Sequence, residues 1–191
     1  IILTNLFGDA SIRPISTYSI VAYDEKTGQL GVAVQSHWFS VGTVVPWAKA
    51  GVGAVATQSI AEPSYGPKGL ALMEQGIPAD EVLKSLLAKD SGENVRQIGM
   101  VDANGNVGAH TGARCIRYAG HKIGKHYSVQ ANIMAKPTVP NAMSKAFENA
   151  KGDLAERMLV ALEAAEEEGV EFVWLSSPKE FKGRNKIEHL I

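Results

Sequence analysis

Three hydroxyl residues, Thr17, Ser19 and Ser36, gather at one end of two apolar segments, TYSIVAYD and LGVAVQSH, which are joined by turn residues 25–28. A threonine or serine hydroxyl attacks an acyl carbon once a neighbouring base takes its proton, so hydroxyls collected at a strand end are candidates for nucleophilic catalysis. Pairing the segments as an antiparallel ribbon with Asp24 facing Gln29 sets Tyr23 opposite Leu30, Val21 opposite Val32, Ser19 opposite Val34 and Thr17 opposite Ser36. Residues two apart share a face, so all three hydroxyls point the same way. A one-residue bulge in the turn instead puts Gln35 or His37 opposite Thr17.

Other polar residues close apolar segments in the same manner. Thr57 and Gln58 end GVGAVATQ, and Gln130 and Asn132 end YSVQAN. Such residues bond to adjacent loops or line a shared polar pocket, and their recurrence at several strand ends favours the pocket. His37 ends the second segment, either as a structural histidine or as a pocket residue. Tyr65, just past Pro63, either caps the pocket or covers the core. The five histidines show no helical i, i+4 pair and no cysteine cluster accompanies them, so no metal site is expected. Gly51, Gly53 and Ala56 fit a dinucleotide fingerprint, but they open a strand instead of a helix, so no nucleotide cofactor is expected. AGHKIGKH (119–126) reads as a solvated basic loop, or as a patch attracting an anion. Cys115 reads as a small buried hydrophobe.

The elements that must position these residues follow from periodicity. Strands are predicted over about 18–23, 30–37 and 51–58, with the first two carrying apolar or small residues on both faces, as strands inside a layered structure do. Two short helices are predicted around Leu70–Met73 and Val82–Leu87, broken by Gly76 and Pro78. The strand 95–102 runs into Asn104-Gly105, a hairpin signal, with return strands near 107–111, 114–118 and 127–132. Helices over about 138–149 and 153–168 close the pattern, the second burying Leu154, Met158, Leu159 and Leu162. Short connections and doubly buried strands predict an α+β fold: two mainly antiparallel sheets face to face with helices outside, a four-layer α/β/β/α sandwich. Residues 1–16 read as a leader or extension, 17–169 as the domain and 170–191 as a divergent tail.

Composition narrows the function. With 45% hydrophobic and 20% charged residues, the 191-residue chain can bury a core. A net charge of -1 supplies no field for nucleic acid, which is not an expected partner. One cysteine forms no internal disulfide, which fits a reducing, cytoplasmic location. No run reaches the roughly 20 apolar residues that span a bilayer, and the opening residues lack the basic-then-apolar order of a secretory signal. Trp38, Phe39, Trp47 and Trp174 keep a homo-oligomer open, since aromatics are enriched at interfaces.

The run from Thr17 to Gln58, followed by EPSYGPKGL and HYSVQANIM, resembles an uncharacterised family predicted to be N-terminal nucleophile (Ntn) hydrolase-like, over about residues 17–168. The resemblance implies the four-layer sandwich and an amidohydrolase that cleaves a small amide or related C–N bond without metal or cofactor. Thr17, placed first in the mature chain, would be the nucleophile and its own α-amine the base. Ser19 and Ser36 would orient it, and His37, Thr57, Gln58, Tyr65, Gln130 and Asn132 would face the substrate. After Gly169 the chain departs from the family's usual final strand, for which Val170 to Leu175 is a candidate substitute. The alternative is a non-catalytic small-molecule binder or oligomeric scaffold on the same fold.

Overall fold

The computed structural model describes residues 16–169. The candidate strand 170–175 and all of the leader except Ser16 lie outside the described residues. The first ribbon forms as its sequence predicts: β1 (Thr17–Tyr23) pairs antiparallel with β2 (Leu30–Ser36), Thr17 facing Ser36 and Ser19 facing Val34. No bulge intervenes, because Asp24 and Gln29 close the turn through Asp24 N–H to Gln29 O at 2.9 Å, and Gly28 takes the left-handed conformation (φ 73°). Tyr127–Asn132 (β8) flanks β1 on its other side, Thr17 facing Asn132, and Gly120–Gly124 (β7) completes the sheet in the order β2-β1-β8-β7.

The second sheet consists of Pro46–Lys49 (β3), Gly53–Ser59 (β4), Arg96–Asp102 (β5) and Val107–Thr111 (β6), antiparallel throughout. Its β5–β6 turn carries Asn104-Gly105, with Gly105 at φ 79°. Buried Asp102 accepts the N–H groups of Asn104 and Asn106, and its second oxygen accepts that of Ala79 at 3.0 Å. That last bond satisfies an orphan donor at the start of the helix Ala79–Leu87 (α2). α2 and Tyr65–Glu74 (α1) cover the outer face of the second sheet, packing on Val55, Ile98 and Met100.

Val139–Asn149 (α3) and Leu154–Gly169 (α4) cover the first sheet, packing on Tyr18, Ile20, Ala22 and Val129. Tyr18 and Tyr127 are tolerated in this apolar layer because their hydroxyls reach helix carboxylates: Tyr18 donates to Glu166, Tyr127 to Glu148 at 2.6 Å. Burial and that carboxylate push the Tyr127 phenol up to about 12. Between the sheets lies a third apolar cluster built from Val21, Val45, Ala54, Ala56 and Val101. Leu154, Met158 and Leu162 are buried as predicted, whereas Leu159 is half-buried.

Two elements differ from the expectation. Residues 114–118 form turns, and the strand falls instead on 120–124, inside the stretch read as a basic loop. β7 is an edge strand with a largely exposed middle, and glycines, His121 and Lys122 are what a solvated, unpaired edge tolerates. β3, four residues beginning at Pro46, carries no periodic signal, and a proline is permitted there because the strand lies at the sheet edge. Gly51 sits in the turn before β4 at φ 70°, so the glycines belong to a turn and a strand. Cys115 is half-buried, with its Sγ 3.2 Å from the Arg96 carbonyl.

Candidate functional site

Strand alternation decides which side chains meet. In the first sheet Tyr18, Ile20 and Ala22 turn toward α3 and α4, so Thr17, Ser19 and Val21 turn toward the second sheet. Ser128, Gln130 and Asn132 do likewise on β8, as do Ala56 and Gln58 on β4. The polar members of these rows form one hydrogen-bonded network toward the Thr17 end of the inter-sheet layer, with Ser128, opposite Val21, joined to it by donating to Gln130 Oε1 at 3.0 Å.

Thr17 stands at its edge, 8% exposed, with Oγ1 2.8 Å from Ser36 Oγ. Ser36 Oγ also accepts the N–H of Trp38 at 3.0 Å. Ser19 donates to Gln58 Oε1 at 2.6 Å and accepts from Gln130 Nε2 at 2.8 Å. It therefore reaches Thr17 only indirectly, through Gln58, whose Nε2 lies 3.4 Å from the Thr17 carbonyl oxygen. Asn132 Nδ2 approaches that same oxygen at 3.4 Å.

The centre of the network is Gln97, a residue not singled out from the sequence. Its Oε1 accepts from Gln58 Nε2 at 2.7 Å and from Asn132 Nδ2 at 3.0 Å. Its Nε2 donates to Thr111 Oγ1 at 2.9 Å and to the Ala131 and Gly120 carbonyls at 3.0 and 3.1 Å. Thr111 Oγ1 in turn lies 2.9 Å from His121 Nδ1. Although His121 is exposed as a residue, partial desolvation of its ring, with nearby His110 adding to it, holds it below its ordinary value, which favours the neutral ring. The available signal for Gln97 was a carboxamide directly before the apolar run 98–101.

Gly99 makes room for the network. A Cβ there would meet Gln130 Oε1 at 2.5 Å and Ser128 Oγ at 2.7 Å. Gly99→Ala is expected to destabilise the fold by about 1–3 kcal/mol, as overpacking does, measured by urea denaturation.

Three predicted residues stand apart. Thr57 is next to Gln58 in β4 and so faces the opposite side, where its hydroxyl donates to the Glu62 carbonyl at 3.3 Å. Tyr65 is buried beneath the second sheet, its hydroxyl donating to Asp90 at 3.1 Å, and burial raises its pKa. His37 is exposed beyond β2, its backbone N–H 3.3 Å from the Ser16 carbonyl oxygen. The Ser16 hydroxyl donates to the Ile133 carbonyl at 2.7 Å, so the peptide bond before Thr17 is held on both sides. Among the described residues no group of three or more His, Cys, Asp or Glu is arranged to hold a metal, and no helix is long and apolar enough to cross a membrane.

Behind Tyr65, Arg96 Nε donates to Asp90 at 2.9 Å and its Nη1 to the Ile60 carbonyl at 2.8 Å, tying the loop after β4 to β5. The Arg96 guanidinium holds the Asp90 carboxyl below its ordinary value. A depressed carboxylate contributes stability that is present above its unfolded value, near pH 4, and lost as pH falls through the folded one. Asp90→Asn should therefore lower stability by about 1 kcal/mol at neutral pH, and the gap should close in acid. Thermal unfolding of both proteins at about pH 7 and below about pH 3 checks the sign.

A crystal structure of protein SPO2555 from Silicibacter pomeroyi, described with the DUF1028 family, superposes with a TM-score of 0.77 at 28% identity, covering 81% of this chain and 69% of that one. No curated protein matches the chain. The family model described as "Family of unknown function (DUF1028)" matches residues 17–177, beginning at the threonine that opens β1, and the chain belongs to that family.

Proposed function

We propose that the chain is an amidohydrolase of the N-terminal nucleophile type, its two sheets and paired helices being the four-layer sandwich of that class. The observation that carries this reading is the position of Thr17. It opens a central strand, its Oγ1 2.8 Å from Ser36 Oγ and its carbonyl oxygen approached by two carboxamides. Removal of the residues before Thr17 frees an α-amine with a pKa of roughly 8, able to take the hydroxyl proton. Oγ1 then bonds to the amide carbon, the C–N bond breaks, and the amine passes its proton to the leaving nitrogen. Water cleaves the resulting ester and restores the hydroxyl. Ser36 orients Oγ1 directly, and Ser19 acts through Gln58.

Intact-mass measurement of the purified protein, before and after treatment with a hydroxyl-directed electrophile, tests the reading. The expected species begins at Thr17 and carries one label on that residue. An intact Ser16–Thr17 bond with no label would exclude the α-amine mechanism. The second reading, a non-catalytic small-molecule binder, is favoured by the Ser16 hydroxyl and carbonyl bonds that fix the preceding peptide in place.

A further inference from the structure

Seven large hydrophobic side chains are exposed among the described residues, and five of them surround the Thr17 end: Trp38, Phe39, Ile60, Ile116 and Tyr118. Hydrogen bonds fix their places. Trp38 donates its N–H to Ser36 Oγ, the hydroxyl that meets Thr17. Ile60 lies two residues past Gln58, with its N–H on the Val95 carbonyl at 3.2 Å. The Ile116 carbonyl accepts from Ile133, the residue after Asn132, and Tyr118 exchanges two 3.1 Å bonds with Met134. Phe39, at 92% exposure, contributes almost nothing to the core.

Of the four non-glycine residues with positive φ among the described residues, three lie at the same end. Ser40, Ser59 and Ile133 have φ of 58°, 69° and 58°, a region that side chains, and β-branched ones above all, avoid. The fourth, His126, lies at the far end of β8. Such conformations persist where the surrounding structure imposes them, and they cluster at ligand sites. Beneath the apolar rim lies the buried network of neutral hydroxyls and carboxamides, with Thr17, 8% exposed, at its outer edge. One of its atoms, Asn132 Oδ1, is buried and has no hydrogen-bond partner among the described residues. Turning the Asn132 amide over does not help, since it would set the oxygen against the Thr17 and Gln97 oxygens that Nδ2 now serves. An unpaired buried acceptor calls for an N–H donor.

We infer that the Thr17 end binds an uncharged carboxamide with a hydrocarbon tail, its N–H given to Asn132 Oδ1 and its tail laid on the rim of Trp38 and Phe39. The inference rests on reading this end as the ligand site, but it requires no turnover. A carboxylate would face Asn132 Oδ1 without a proton to give, and an ammonium would be desolvated against a wall that offers no counter-charge.

Calorimetric titration of the full chain with straight-chain primary amides, from acetamide to octanamide, tests the inference. Affinity is expected to rise about two- to fourfold with each methylene that reaches the rim, with carboxylates and alkylamines of equal length at least about tenfold weaker. Trp38→Ser with Phe39→Ser should flatten the dependence on tail length. Ile123→Ser, an exposed apolar residue on β7, should leave it intact. Affinity independent of tail length, equal binding of the carboxylates, or an unchanged slope in the double variant overturns the proposal. So does a sedimenting dimer that the double variant dissociates, because the rim then belongs to a second copy. Tail-dependent binding without hydrolysis removes the Thr17 nucleophile and leaves this inference standing; hydrolysis indifferent to the tail does the reverse.

Discussion

Thr17→Ala is expected to lower kcat/KM for a hydrolysed amide by about 10⁴-fold or more, the scale on which removal of a nucleophile acts. The fold should survive. The substitution removes one hydrogen bond, to Ser36 Oγ, at a residue that retains some exposure, a loss of about 1 kcal/mol. Thr17→Ser keeps both the hydroxyl and the α-amine and should retain measurable turnover, which separates loss of the nucleophile from loss of shape. The pH dependence follows from the base. The amine must be unprotonated to accept the hydroxyl proton, so kcat should rise through about pH 8 and then level. Steady-state kinetics on the parent and both variants, each verified by mass to begin at residue 17, check these outcomes. Comparable rates for Thr17→Ala and the parent would place the chemistry elsewhere.

Gln97→Ala should be among the most destabilising single substitutions in the inter-sheet layer, costing about 3–4 kcal/mol. Gln58 Nε2 and Asn132 Nδ2 lose the oxygen they share, and Thr111 Oγ1 and the Ala131 and Gly120 carbonyls lose a donor. Gln97 itself is fully buried, so the groups left behind have no ready access to bulk water. Against a typical domain stability of about 5–15 kcal/mol, such a loss moves the urea midpoint by roughly 2 M. Gln97→Met preserves most of the volume and removes only the polar atoms. Its cost should remain above about 2 kcal/mol, with the difference from alanine reporting the cavity. A methionine variant as stable as the parent would mean that water or neighbouring groups re-pair the network.

Several features of this protein were legible in its residues alone. The β1–β2 ribbon and its register followed from two apolar runs and a short turn, because a tight connection and a two-residue period leave few alternative pairings. The same period placed Thr17, Ser19 and Ser36 on one face, and Asn104-Gly105 marked the β5–β6 hairpin. The same period also sets the adjacent Thr57 and Gln58 on opposite faces, although both were expected in one pocket; the structure puts only Gln58 there. Helices α1 to α4 were visible from their apolar spacing to within a few residues. The β7 edge strand was not, since an unburied strand has no apolar periodicity to display.

The site itself was decided by tertiary contact. Gln58, Gln97, Gln130 and Asn132 come from three strands in two sheets and are joined across as many as 72 positions of sequence. Each strand's local pattern says that a carboxamide is buried, but not which distant amide completes its hydrogen bonds. Tyr65 shows the same limit, because its residue type suits either a pocket or a core, and only the packing of α1 under the second sheet set it beside Asp90. Period and turn chemistry act over a few bonds and so could be read directly. Sheet-to-sheet pairing is a choice among many long-range contacts of similar energy, settled by packing the whole chain at once.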